Sequence, residues 1–165
     1  MKLMLKGLAI AACFAGVLVW NGLTASSQES TQKYGKYVHM DDLYAKIAHY
    51  TGTSIVAREK LEGNLSFCLH CLAKPISFDK PHTHDFEETL CFIGGNPLDI
   101  TDFSAVVEYT INGEKHVLTK PGCVSMPPGL PHCPISVKNV SPEKPIVFME
   151  ISLSSSYGTP KEAKP

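Results

Sequence analysis

From Thr53 to Leu153 the chain is a series of short apolar runs, each stopped by Pro, Gly or Asn. That punctuation restricts the fold more than any other feature, because helices need longer uninterrupted segments than strands do. The clearest local structure is Ser104–Ile111, Asn112-Gly113, Glu114–Thr119. Asn-Gly between two alternating apolar runs predicts a tight hairpin, since both turn residues must take positive φ. Further strands are expected at Ser54–Arg58, Asn64–Ala73, Pro81–Asp85, Thr89–Ile93, Cys123–Met126, Ile135–Val140 and Ile146–Leu153. Thr89–Ile93 is apolar on both faces, as in a barrel wall or a subunit interface. At least eight short strands argue for an all-β antiparallel barrel or double-sheet jelly roll.

One short N-terminal helix is expected beside the barrel, in HMDDLYAKIAHYTG. There Asp41 can cap, Leu43, Ile47 and Tyr50 share a helical face, and Gly52 suits the residue after the last turn. A single domain is expected over 37–154, with a disordered lead-in over 28–36 and a flexible tail over 155–165.

Residues 1–27 read as a signal peptide. Lys2 and Lys6 give a basic start, Gly7–Trp20 is uncharged and apolar, and small or polar residues follow, with cleavage expected after Ala25 or Ser27. The apolar run falls short of the ~20 residues of a bilayer span, so an uncleaved anchor is the alternative reading, and no stable membrane insertion is expected after cleavage. A lipoprotein is a second alternative, because Ile10-Ala11-Ala12-Cys13 resembles a lipidation box, but Phe14–Trp20 beyond it stays apolar. The expected location is therefore periplasmic or secreted. No Arg-Arg pair marks a route for folded cargo, so a metal would be acquired outside the cytoplasm. Without residues 1–27 the net charge moves from −1 to −3, and no Lys/Arg cluster suggests nucleic acid as a partner.

The chemistry concentrates in PHTHDFEETLCFIGG, residues 81–95. His82 and His84 lie two apart and project from one face of a strand, with Cα atoms roughly 7 Å apart. Two imidazoles so placed can reach one metal ion, and a carboxylate from the following turn can join them. Asp85, Glu87 and Glu88 all compete for that role, because the turn breaks strand parity. Further on, GCVSMPPGLPHCP offers His132 after a Pro/Gly-rich bend.

His82, His84, Glu88 and Gly95 together resemble the first cupin motif, and Gly122, Pro127, Gly129 and His132 are similar to the second. Ile76 and Ser136 stand where the motifs often carry Gly and Asn. The resemblance implies a cupin-type double-stranded β-helix in which His82, His84, Glu88 and His132 bind one divalent metal, and it implies a homodimer. It favours Glu88 over Asp85 and Glu87. Three imidazoles and a carboxylate suit Fe, Mn, Ni, Cu or Zn, and differ from the Cys-rich closed sites of structural zinc.

Other titratable residues carry weaker signals. His70 lies on the Ser66/Cys68 face of its strand and would stand near the metal if that face lined the barrel; otherwise it is a partly exposed strand histidine. His39, His49 and His116 read as surface or packing histidines. Glu108 and Tyr109 are candidates for acid/base groups, with core and surface roles as the alternative. Cys68 and Cys71 have C-x-x-C spacing, but in a strand they face opposite ways and read as buried apolar cysteines. Cys123 and Cys133 flank the bend and are a candidate disulfide; spacing alone leaves the pairing of the five cysteines after residue 27 open.

The expected function is that of an exported, metal-dependent cupin enzyme on a small organic molecule, with anionic substrates favoured. Oxygenase-type oxidation leads, with lyase or isomerase chemistry behind it. The alternative is a non-enzymatic periplasmic module that holds a metal or small ligand.

Overall fold

The computed structural model describes residues 33–157 and 161–162. The expected signal peptide over 1–27 and most of the expected lead-in lie outside the described residues. Among those described, no helix is long and apolar enough to cross a membrane.

Twelve strands form two antiparallel sheets: β1 (Tyr44–Ala45), β2 (Thr51–Val56), β3 (Ser66–Leu72), β4 (Ile76–Phe78), β5 (His82–Thr83), β6 (Glu88–Gly94), β7 (Val106–Ile111), β8 (Glu114–Leu118), β9 (Gly122–Met126), β10 (His132–Lys138), β11 (Ile146–Ser152) and β12 (Lys161–Glu162). One sheet runs β1-β2-β3-β11-β6-β9; the other runs β12-β5-β10-β7-β8, with β4 also on β10. This is the two-sheet jelly-roll barrel that the punctuated pattern predicts. The hairpin is as expected: Asn112 and Gly113 take φ of 46° and 82°, and Ile111 faces Glu114 across the turn.

The interior of the first sheet is layered along the strand direction. Register sets Ser66, Ser152 and Glu88 in one row, and Cys68, Glu150 and Leu90 in the next. His70, Phe148 and Phe92 follow, then Leu72, Ile146 and Gly94. Polarity therefore falls from one end of the barrel to the other. At the apolar end Phe92 and Phe148 stack 4.9 Å apart, and Val107, Ile135 and Val137 close on them from the opposite sheet. Each aromatic or branched side chain buried there stabilises the fold by about 1.5–3 kcal/mol. The polar end is left to hold a site.

Three local expectations are corrected. The short helix starts at Asp41 but stops after one 3-10 turn at Leu43, without a side-chain cap, instead of running to Gly52. Tyr44 and Ala45 pair with Ile55 and Ser54 instead, and Tyr50 enters the core. The ladder bonds and the burial of Tyr50 outweigh a helical propensity that was never backed by a capped, isolated helix. The lead-in carries a 3-10 turn at Gly35–Tyr37, and the tail adds a strand, because Lys161 and Glu162 pair with Thr83 and His82. The Cys123–Cys133 pairing is replaced by Cys91–Cys123. These two face each other on β6 and β9 with Cα atoms 4.2 Å apart, while Cys133 points into the barrel from the other sheet.

Candidate metal centre

Strands β5 and β10 deliver the three histidines. His82 and His84 are two residues apart, and His132 lies directly opposite His82 in the ladder. The bend between β9 and β10 is tied down by the Gly129 amide, which donates to the His84 carbonyl at 2.7 Å. Gly129 takes φ of 79°, so a Cβ there would be strained. The three rings lie 4.3–5.2 Å apart by centroid, and one nitrogen of each falls within 4.8 Å of the others.

Two of the rings are anchored from outside the cluster, while His84 Nε2 lies 3.2 Å from the Tyr157 hydroxyl. His82 Nδ1 donates to the Lys80 carbonyl at 3.0 Å, and His132 Nδ1 donates to the Leu130 carbonyl at 2.9 Å. Each Nε2 is left with a lone pair. His132 Nε2 is buried without any hydrogen-bond partner. Burial pushes the His84 imidazole down to about 4, partly offset by the Glu88 carboxylate and reinforced by the other two histidines. His84 is therefore neutral at ordinary pH. Converging imidazoles, one of them with a ring nitrogen orphaned in the interior, fit a divalent cation.

Glu88 opens β6 and faces inward, 2% exposed, with Oε2 3.4 Å from His132 Nε2 and 3.7 Å from His84 Nε2. It borders two of the three rings. Burial pushes its carboxyl up, but its contacts with the His132 ring and the Tyr157 hydroxyl hold it below its ordinary value, so it stays ionised. Asp85 and Glu87, its rivals in sequence, are both exposed, and Asp85 lies 3.9 Å from Lys161. The turn thus restores strand parity at Glu88.

The other candidates separate cleanly. Glu108 sits on the outer face between Lys115 and Lys138, at 3.1 and 2.9 Å. Tyr109 is wholly buried and points its hydroxyl at Met126 Sδ, 3.3 Å away. Neither is placed for acid/base work. His39 pairs with Asp42 at 3.4 Å, and His116 lies beside Glu114 at the surface. His49 is exposed yet borders the cavity mouth. His70 is 1% exposed and lines the barrel, so the face that the strand pattern left open is the inner one.

The histidines open on a cavity of about 270 Å³. Its far wall is polar in a way the motifs did not reveal. Arg58 donates to Glu150 Oε2 at 2.5 Å, and the Tyr50 hydroxyl donates to Glu150 Oε1 at 3.2 Å. The Arg58 guanidinium lies 4.1 Å over the Tyr157 ring, and the Tyr157 hydroxyl donates to Glu88 Oε1 at 2.8 Å. Tyr157 thereby holds one Glu88 oxygen and leaves the other facing the histidines. Cys133 also borders the cavity; burial, with Glu88 nearby, pushes its thiol up to about 12, so it is an inert thiol. Glu150 is the one of these residues with a readable signal, being a lone acid inside the apolar run IVFMEISL.

No protein-family model matches the chain, and no curated protein matches it significantly. Solved structures do resemble it. Peruvianin-I, a cysteine peptidase from Thevetia peruviana latex, is 14% identical with a TM-score of 0.51 over 79% of each chain. A cupin 2 domain-containing protein from Halorhodospira halophila is 11% identical, with a TM-score of 0.46 over 77% of this chain and 74% of its own. Oxalate decarboxylase from Bacillus subtilis, which has Mn(II) centres, is 17% identical with a TM-score of 0.47 over 72% of this chain. The chain spans only 30% of that decarboxylase. At these identities the likeness concerns the fold. Two antiparallel sheets in jelly-roll order, with both histidine-bearing segments meeting at the polar end of the barrel, are the architecture that the resemblance of the sequence motifs implies.

Proposed function

We propose that the protein is an exported, metal-dependent enzyme that binds one divalent transition metal through His82, His84, His132 and Glu88 and converts a small anionic organic molecule. The observation that carries this reading is the buried, unpartnered Nε2 of His132 beside the converging His82 and His84 rings. A divalent ion held there would supply Lewis acidity, activated water or dioxygen chemistry. The chain's own part is positional. The Lys80 and Leu130 carbonyls fix the rings, Tyr157 fixes the carboxylate, and the aromatic walls keep water from the buried side. One carboxylate against a divalent ion leaves the centre net positive, which favours an anionic substrate. Oxygenase-type oxidation ranks first, ahead of lyase and isomerase chemistry. Fe, Mn, Ni, Cu and Zn all suit the donor set.

A homodimer is part of the proposal. The outward face of the first sheet carries Leu69, Met149, Val147 and Ile93, half-buried and apolar, where a lone domain would place polar residues.

The test is metal analysis of protein purified without an affinity tag, followed by oxygen-uptake measurements against a panel of small carboxylates and phenols. Metal lost in His132→Ala and substrate-dependent oxygen uptake support the reading. Turnover without uptake moves the chemistry to the lyase or isomerase branch. Full metal retention in His82→Ala and His132→Ala would refute the site.

A further inference from the structure

The three-histidine cluster is built by a simple rule: two ligands two residues apart on one strand, and a third directly opposite the first on the neighbouring strand. The same construction recurs once more in the barrel. Cys68 and His70 are two apart on β3 and both face inward, and Glu150 is the ladder partner of Cys68 on β11. Cys68 Sγ, a His70 ring nitrogen and a Glu150 oxygen all lie within 4.8 Å of one another. All three come from the central strands β3 and β11 of the first sheet, the most rigid positions that the fold offers.

We propose that Cys68, His70 and Glu150 form a second site for a divalent cation, of the thiolate–imidazole–carboxylate class that zinc occupies. The independent sign is His70. Its ring is held by Ser54 Oγ at 2.8 Å from Nδ1 and by Tyr50, stacked 3.7 Å away at 18°. Nε2 is left buried with no hydrogen-bond partner and lies 3.8 Å from Glu150 Oε1. A fixed, neutral imidazole aimed at a carboxylate and a thiol, with nothing on its free nitrogen, is a ligand awaiting an ion.

Arg58 is the evident objection, since it places a positive charge beside the cluster. It binds the other oxygen of Glu150, however, and leaves Oε1 toward His70 and Tyr50. A carboxylate that ligates through one oxygen and accepts an outer hydrogen bond on the other is an ordinary arrangement in metal sites. On binding, the Cys68 thiol gives its proton to solvent and its sulfur lone pair to the ion. Thiolate, carboxylate, guanidinium and a divalent ion then leave a single positive charge. The donor set is softer than the three-histidine cluster, so the two sites would differ in metal preference. The proposal does not depend on the first site being occupied.

Cobalt tests both sites separately. The purified full chain, stripped with chelator, is titrated with Co(II) while bound metal and the near-ultraviolet thiolate-to-cobalt absorption are followed. Two equivalents and that absorption are expected. Cys68→Ser should abolish the absorption and one equivalent, and Glu150→Gln should weaken both. Arg58→Ala should keep them with affinity lowered roughly 10- to 100-fold, as loss of an outer partner does. His82→Ala should lose the other equivalent and keep the absorption, so the two readings fail independently. No thiolate absorption in the saturated wild-type protein would overturn the proposal whether or not the variants fold. So would an absorption that survives Cys68→Ser, which would come from Cys71 or Cys133.

Discussion

The Arg58–Glu150 pair allows a quantitative test of how the barrel tolerates buried charge. Glu150 is 13% exposed and Arg58 36%. Removing one partner of a fully buried pair costs ~3–5 kcal/mol, because the other charge is left uncompensated. Arg58 reaches water, so solvent screening reduces that cost to about 2 kcal/mol. Losing the guanidinium over Tyr157 adds about 0.5–1 kcal/mol. Arg58→Ala should therefore destabilise the metal-free protein by about 2.5–3 kcal/mol at neutral pH. In a Glu150→Gln background only the stacking loss of about 0.5–1 kcal/mol should remain.

The pH dependence carries its own sign. Burial holds the Glu150 carboxyl above its ordinary 4.5, against the pull of Arg58. Between 4.5 and the folded value the folded chain holds more protons than the unfolded one, so stability falls as pH rises through that window. Without Arg58 the folded value climbs further and the fall deepens. The difference between wild type and Arg58→Ala should thus be largest at neutral pH and shrink below 4.5, where Glu150 is protonated in both states. Urea unfolding of the four proteins of the cycle, with chelator present, measures it. An Arg58→Ala cost that is equal in both backgrounds, or independent of pH, would refute the reasoning.

Three further outcomes are expected. Gly94→Ala should cost about 1–3 kcal/mol in urea unfolding, because a Cβ there would meet the Asp102 and Ile100 carbonyl oxygens at 2.5 and 2.9 Å. Replacing both Cys91 and Cys123 with Ala should lower stability by about 3–4 kcal/mol, the value for opening a loop closed across 32 residues, and reductant should then have no further effect. Metal added at about 1,000 times its Kd should raise wild-type stability by about 4 kcal/mol, and that gain should vanish in His132→Ala, as followed by thermal unfolding.

What the sequence made legible follows from how each feature is encoded. The hairpin at Asn112-Gly113 is local, so a single run of residues specifies it. His82, His84 and His132 were legible because spacing and a Pro/Gly bend fix where strands begin, whereas Glu88 stood apart from Asp85 and Glu87 only through the cupin resemblance. The helix was misread because Leu43, Ile47 and Tyr50 suit a helical face equally well when they line a barrel mouth. Only the pairing of Tyr44–Ala45 with β2 decides between the two. The inner face of β3 was left open for a related reason. Both of its faces carry apolar residues, and the buried one, Ser66-x-Cys68-x-His70, looks the more polar until Glu150 is set opposite Cys68. Arg58 meets Glu150 and Tyr157 across separations of about 90 residues or more, and of the three only Glu150 lies on a strand. No spacing rule reaches that far. The polar end of this barrel is therefore specified by register: each inward residue gains its chemical meaning from the one opposite it, and a shift of one residue would turn Glu150, His70 and Cys68 outward together.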